Sequence, residues 1–162
     1  MRGLESKHPL SLEEATALAD EIRRAGDKVV FTNGVFDLLH PGHVRYLRDA
    51  RALGGGLIMG INSDASVRRN KGADRPLHPA SERAEILLAL ECVTGVTIFD
   101  ADTPLEVISA IKPDLLVKGA DWAEDRIVGR EVVESLGGRV VRMTLTDGYS
   151  TTHLIRRVQT RR

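Results

Sequence analysis

The chain has little cysteine, no net charge and no long apolar run. A single cysteine, Cys92, stands among 162 residues, which excludes an intrachain disulfide and a cysteine-based metal cluster. It falls in the run EILLALECV and reads as a small packed hydrophobe. Acidic and basic residues balance at 23 each. Bulk electrostatics therefore give no argument for nucleic acid or an anionic membrane as partner. The local exception is the tail IRRVQTRR, with Arg156, Arg157, Arg161 and Arg162, which reads as a solvated helix end with cations near the negative pole of its dipole. No apolar run reaches the length of a membrane span. Ser6, Lys7 and His8 interrupt the apolar stretch a signal peptide would need. The expectation is a cytoplasmic protein that binds neither nucleic acid nor membrane. Repeats, low-complexity segments and a second domain are also missing.

What is present is an alternation of strand and helix patterns. SLEEATALADEIRRAG reads as a helix, capped by Ser11 with Glu14 in capping-box position and ended by Gly26. The strands that follow are KVVFTN, LIMGIN, GVTIFD, DLLVKG and RVVRMT. Between them lie the helical patterns GHVRYLRDARALG, SERAEILLALECV, TPLEVISAIK and GREVVESLG, and STTHLIRRVQT closes the chain. Thr103 is the expected cap of TPLEVISAIK, with Glu106 completing a capping box, and Ser150 the expected cap of the last helix. The strands are apolar nearly throughout, which suits burial on both faces. The fold expected is α/β: a Rossmann-like, doubly wound, five-stranded parallel sheet in a single domain, with residues 1–27 as a helical extension and 28–162 as the sheet domain. Asn62 to Ser81 reads as a long irregular loop, expected to be mobile and to order over a ligand.

Ligands of such sheets bind beyond the carboxyl ends of the strands, where strand order reverses. The stretch FTNGVFDLLHPGHVRYL lies there. Gly34 permits a tight turn and close approach of a ligand. Gly42 leaves the helix start open, and free backbone N–H groups make that end an anion site. His40 and His43 are three apart across the helix start, so both can address one anion and donate to phosphoryl oxygens. A zinc reading lacks further ligands, so no metal site is expected. Phe36 and Leu38 read as turn packing, and Asp37 as a ligand of local backbone. Only five lysines occur against eighteen arginines, so Lys71, kept in the long loop, is informative. Lys118 sits at a strand end, on the rim.

GVFDLLHPGH matches the G-x-F-D-x-x-H-x-G-H signature of the nucleotidyltransferase superfamily, and GYSTTHLI resembles its second, Ser-Thr-rich signature. Together with INSDASVRRNKGADRPLHP and PDLLVKGADW, these segments resemble the heptose 1-phosphate adenylyltransferases of ADP-heptose synthesis, in their stand-alone form. The resemblance runs from about Ser11 to Val158. It implies ATP and D-glycero-β-D-manno-heptose 1-phosphate as substrates, Mg²⁺ entering with ATP, and direct attack of the sugar phosphate on the α-phosphorus. His40, His43 and Lys71 would be the catalytic residues. Gly34, Val35, Phe36, Gly42, Arg83, Lys118, Asp121, Tyr149, Ser150, Thr151 and Thr152 would bind the nucleotide, Arg83 through its β- or γ-phosphate. Asn33, Asp64 and Arg75 would meet the sugar phosphate. A homodimer is among the expectations. Ile155 stands where the superfamily often has a basic residue, with Arg156 one place later, so the basic group offered by the last helix is left open. The rival readings are a cytidylyltransferase for glycerol 3-phosphate or a similar phosphorylated alcohol, an FMN adenylyltransferase, and a nucleotide-sensing module without turnover.

Overall fold

The computed structural model of the protein describes residues 5–144, 148, 149 and 151–160. In chain order the elements are α1 (Leu12–Arg24), β1 (Val29–Gly34), α2 (Pro41–Arg51), β2 (Gly56–Asn62), α3 (Asp64–Lys71), α4 (Ala80–Leu88), β3 (Gly95–Phe99), α5 (Leu105–Ile111), β4 (Leu115–Gly119), α6 (Arg130–Ser135), β5 (Arg139–Met143) and α7 (Thr151–Gln159). The strands form one sheet in the order β3-β2-β1-β4-β5, and every pairing is parallel. The expected doubly wound sheet is therefore the observed one. No helix among the described residues is long and apolar enough to cross a membrane.

Alternate strand residues supply two cores. Val29 and Phe31 of β1 join Ala15, Leu18, Ala19 and Ile22 of α1 and Val107, Ile108 and Ile111 of α5 on one face. Val30 turns to the other face, with Leu47 and Ala50 of α2 and Ala84 and Leu87 of α4. The two-residue period of a strand buried on both sides produces this division. Cys92 packs against the second core as a partly buried side chain.

The register positions the site. β1 and β2 pair along six residues, Val29↔Gly56 to Gly34↔Ile61. β1 and β4 pair only at Val30↔Leu115 and Phe31↔Leu116. Beyond those pairs the two central strands part, and the sheet opens toward its carboxyl edge. This is also where strand order reverses, since the chain runs outward from β1 through β2 and β3 before returning to β4.

Two local expectations are corrected. Asn62–Ser81 is not irregular throughout: only Ser63 and residues 72–79 lack a regular element, because α3 occupies Asp64–Lys71. Ser63 caps it by accepting the Ser66 N–H at 3.1 Å, and Ser66 and Val67 are buried as its anchors. Thr103 does not cap α5: Pro104 takes that position, with no side-chain cap bond, because its carbonyl already accepts the first helical bond from Ile108 at 2.9 Å. The helix therefore starts one residue too late for the Thr103–Glu106 box. The α1 box is formed as expected, with Ser11 Oγ accepting from the Glu14 N–H at 3.1 Å and Glu14 Oε2 from the Ser11 N–H at 2.7 Å. The expected Ser150 cap of α7 lies outside the described residues.

Candidate active site

Between the parted ends of β1 and β4 lies a cavity of about 510 Å³. From the β1–α2 side it is lined by Asn33, Gly34, Val35, Phe36, His40, Gly42, His43 and Tyr46. Lys71 closes one flank; Lys118, Gly119, Asp121 and Trp122 form the other; Tyr149 and Thr151 meet it from the last segment. A larger depression of about 650 Å³, lined by Arg48, Arg51 and Cys92 among others, lies at the opposite end of α2. It contains none of the signature residues.

The β1–α2 turn is shaped by an aromatic ring. Gly34 does not adopt a left-handed conformation; Phe36 does, at φ 49°. A Cβ on Gly34 would stand 2.9 Å from Phe36 Cε2, so glycine is needed there to admit that ring. This corrects the reading of Gly34 as a tight-turn glycine. The Phe36 ring in turn packs 5.2 Å from the His43 ring, centroid to centroid, at 56°. Gly42 admits a similar approach: a Cβ there would lie 3.0 Å from Tyr149 Cβ and 3.1 Å from His40 Nδ1.

His40 is the N-cap of α2, and its Nδ1 accepts the His43 N–H at 3.2 Å. An accepting Nδ1 assigns the proton to Nε2, the nitrogen left to donate to a ligand. The two imidazoles stack with centroids 3.7 Å apart and planes at 13°. Burial pushes His43 down to about 4, the adjacent His40 adds to the shift, and the Leu38 carbonyl opposes it. Burial also lowers His40. Both rings are thus neutral at pH 7, as two cations at this spacing would repel. His43 Nδ1 is buried and makes no hydrogen bond of ordinary geometry.

Lys118 is buried, donates to Asn33 Oδ1 across the parted strands, and stands 5.5 Å over the Trp122 ring. Burial brings its ammonium down to about 8. Tyr46 shares a hydrogen bond of 2.8 Å with Thr32 Oγ1. Its phenol is pushed up to about 12, chiefly by burial, against the Thr32 bond and with help from the Asp121 charge.

Four candidate or neighbouring polar residues are engaged within the protein. Arg83 is fully buried and donates to His78 O at 2.9 Å, Val35 O at 2.7 Å, Asn62 O at 2.8 Å and Asp64 Oδ1 at 2.9 Å. Asp64 Oδ1 also accepts the Ala80 N–H at 2.8 Å. Asp37 does not bond local backbone. Its buried carboxylate accepts from Leu77 N–H, His78 N–H and Arg75 Nε, the last at 2.7 Å. The local turn is occupied by Phe36, so the carboxylate reaches the segment before α4 instead. Burial would raise Asp37, but the N–H groups of His78 and Leu77 and the Arg75 guanidinium outweigh it and hold it below the usual carboxylate value. Arg83, Asp64 and Arg75 thus do not line the cavity, whereas His40, His43, Lys71, Lys118, Asp121, Asn33, Tyr149 and Thr151 do. Ser150 and the Thr152 side chain lie outside the described residues. Tyr46 and Trp122 line the cavity without having been singled out. Tyr46 follows His43 by one helical turn, and Trp122 is the only tryptophan, just past a strand end.

Comparison with known proteins agrees with this geometry. The family model described as cytidylyltransferase-like matches residues 31–157. The chain is 54% identical over 150 residues to the bifunctional protein HldE of Geotalea uraniireducens, covering 93% of this chain and 31% of that protein. It is 57% identical over 136 residues to the HldE of Syntrophotalea carbinolica, covering 84% and 28%. It thus spans about three tenths of the length of these relatives. The crystal structure of a lipopolysaccharide core biosynthesis protein from Thermoplasma volcanium superposes with a TM-score of 0.65 at 28% identity, covering 75% of this chain and 100% of that one. A protein of unknown function from Archaeoglobus fulgidus shares the fold, with a TM-score of 0.56 at 23% identity over 76% of this chain and 93% of that one. With its paired histidines at the start of α2, its parted central strands and a family match over most of its length, the chain belongs to the cytidylyltransferase-like family of nucleotidyltransferases.

Proposed function

We propose that the chain transfers AMP from ATP to D-glycero-β-D-manno-heptose 1-phosphate, giving ADP-heptose and pyrophosphate. The observation that carries the nucleotidyl-transfer reading is the stacked His40–His43 pair at the α2 N-terminus, inside the cavity. Similarity to the HldE proteins over most of this chain supports the acceptor.

In this reading an oxygen of the acceptor phosphate attacks the α-phosphorus. The bond from that phosphorus to the bridging oxygen breaks, and pyrophosphate leaves with its electron pair. Mg²⁺ enters as part of the nucleotide. Among the described residues, no group of three His, Cys, Asp or Glu side chains is placed to hold an ion of its own. The α2 N–H groups and the two imidazoles meet the transferred phosphoryl group. The rings begin neutral, and the N–H that each carries can donate to the phosphoryl oxygens as charge develops there. Lys71 and Lys118 face the cavity from opposite flanks, which suits two polyanions held side by side. Asp121 faces the ribose hydroxyls. The reaction is placed in the cytoplasm, where ATP is available.

The test is to incubate the protein with Mg²⁺, ATP or CTP, and heptose 1-phosphate or glycerol 3-phosphate, and to identify products by mass. ADP-heptose is expected, with CDP-heptose forming much more slowly. Product from CTP and glycerol 3-phosphate alone would overturn the donor and acceptor while leaving nucleotidyl transfer intact. Nucleotide binding without any product would favour the sensing module.

A further inference from the structure

The cavity lining includes a large, exposed aromatic surface that the phosphate chemistry does not use. Trp122 is 49% exposed although it lines the site. An indole left open to water at the mouth of a polar cavity is an unused stacking surface. Its backbone is fixed: the Trp122 N–H donates to Gly119 O at 3.1 Å, and the neighbouring Ala120 N–H donates to Met143 O of β5 at 2.8 Å. The ring also has a defined electrostatic environment, with the Lys118 ammonium 5.5 Å from its centroid. Asp121, the adjacent residue, supplies a carboxylate to the same wall.

The position within the cavity decides which part of the substrates this surface meets. Phosphoryl groups are drawn to the centre, where α2 begins. A nucleotide and a sugar phosphate must then extend from that centre in different directions. The flank beyond β2 offers Lys71, a cation at the end of α3, which suits an acceptor phosphate. The flank beyond β4 offers a flat apolar ring and an adjacent carboxylate, which suit a base and its ribose. We infer that Trp122 is the platform on which the nucleobase of the donor stacks, with a purine covering more of the indole than a pyrimidine. The inference rests on the proposed use of ATP and adds the residue that selects the base.

The chain contains a single tryptophan, so its emission reports this site alone. Titration with ADP and Mg²⁺, without acceptor, should quench or shift the emission. CDP should do so less, and pyrophosphate with Mg²⁺, which carries no base, should leave it nearly unchanged. Base–aromatic stacking of ordinary strength predicts a roughly tenfold to hundredfold weaker Kd for ADP in Trp122→Ala, measured by calorimetry. Trp122→Phe should keep most of the affinity. The KM for the sugar phosphate should move far less than the ADP Kd. An ADP affinity unchanged in Trp122→Ala overturns the inference. So does a loss confined to the acceptor KM, which would give the ring to the sugar, or a pyrophosphate response as large as that of ADP. The ADP titration needs no turnover. A protein that binds ADP through Trp122 but makes no ADP-heptose would fail the proposed reaction and keep this platform.

Discussion

The two flanks of the cavity are built differently. On the β2 side, polar groups bind one another. Arg83 donates to three carbonyls and Asp64, and Asp37 gathers two backbone N–H groups and Arg75. These bonds tie the segment before α4 to the β1–α2 turn, and the side chains of Asp37 and Arg83 are buried. On the β4 side the groups face the cavity. Trp122 is exposed, and Lys118 reaches across the parted strands to Asn33. A buried, satisfied network holds a shape, whereas an exposed indole beside a buried ammonium awaits a ligand. The first flank therefore fixes where the histidines stand and offers one cavity-facing cation, Lys71, while the second supplies recognition of the nucleotide.

The largest effect belongs at the junction of the two. His43→Ala should lower kcat by roughly two to three orders of magnitude, the usual cost of losing one donor at developing charge. Unfolding stability should change by less than about 1 kcal/mol. Near-normal turnover by a folded variant would remove His43 from the chemistry.

Arg83→Met separates the flanks next. Val35, Asn62 and His78 would lose their donor and Asp64 its cation. A loss of about 3–5 kcal/mol is expected in urea unfolding, the scale for breaking a buried ion pair. If stability held and only the KM for ATP rose, Arg83 would be a phosphate ligand rather than the hub of the rigid flank.

Asp37→Asn should cost about 1–3 kcal/mol, because it weakens a buried acceptor of three donors. Its pH signature is distinct. The folded protein holds Asp37 below its ordinary value of 3.8, so its contribution is present above that value and is lost as pH falls through the folded one. His43 acts in a higher window. It is held at about 4 against an ordinary 6.5, so between these values the unfolded chain takes up a proton that the folded chain refuses, and stability falls as pH drops. His43→Asn should flatten the upper window, and Asp37→Asn the lower. Unfolding curves collected across pH 7 to 3 would show whether the two parts separate.

The elements that build the sheet were readable because their signals are local. The apolar runs VVF, LIM and LLV need no distant partner to be recognised as buried strands, and the Ser11–Glu14 box is complete within four residues. The histidine pair was readable for the same reason. The helix α3 was not, because DASVRRNK offers only Val67 as a large apolar anchor; Ser63, its cap, was the available signal. The rigid flank was hidden because its bonds are long-range. Asp37 meets Arg75 and His78 at separations of 38 and 41 residues, and no local pattern marks Arg83 as buried. Phe36 reads as turn packing from the sequence, but its left-handed backbone and its effect on Gly34 appear only in three dimensions.

Amide hydrogen exchange with and without ADP and Mg²⁺ tests the contrast between the flanks most directly. The Leu77 and His78 N–H groups, already bonded to Asp37, should be protected without ligand and change little. The amides of residues 121 and 123, on either side of Trp122, should slow by roughly tenfold or more when the nucleotide seats. Protection that rises equally on both flanks, or only at residues 75–79, would contradict the division into a pre-built flank and a ligand-completed one.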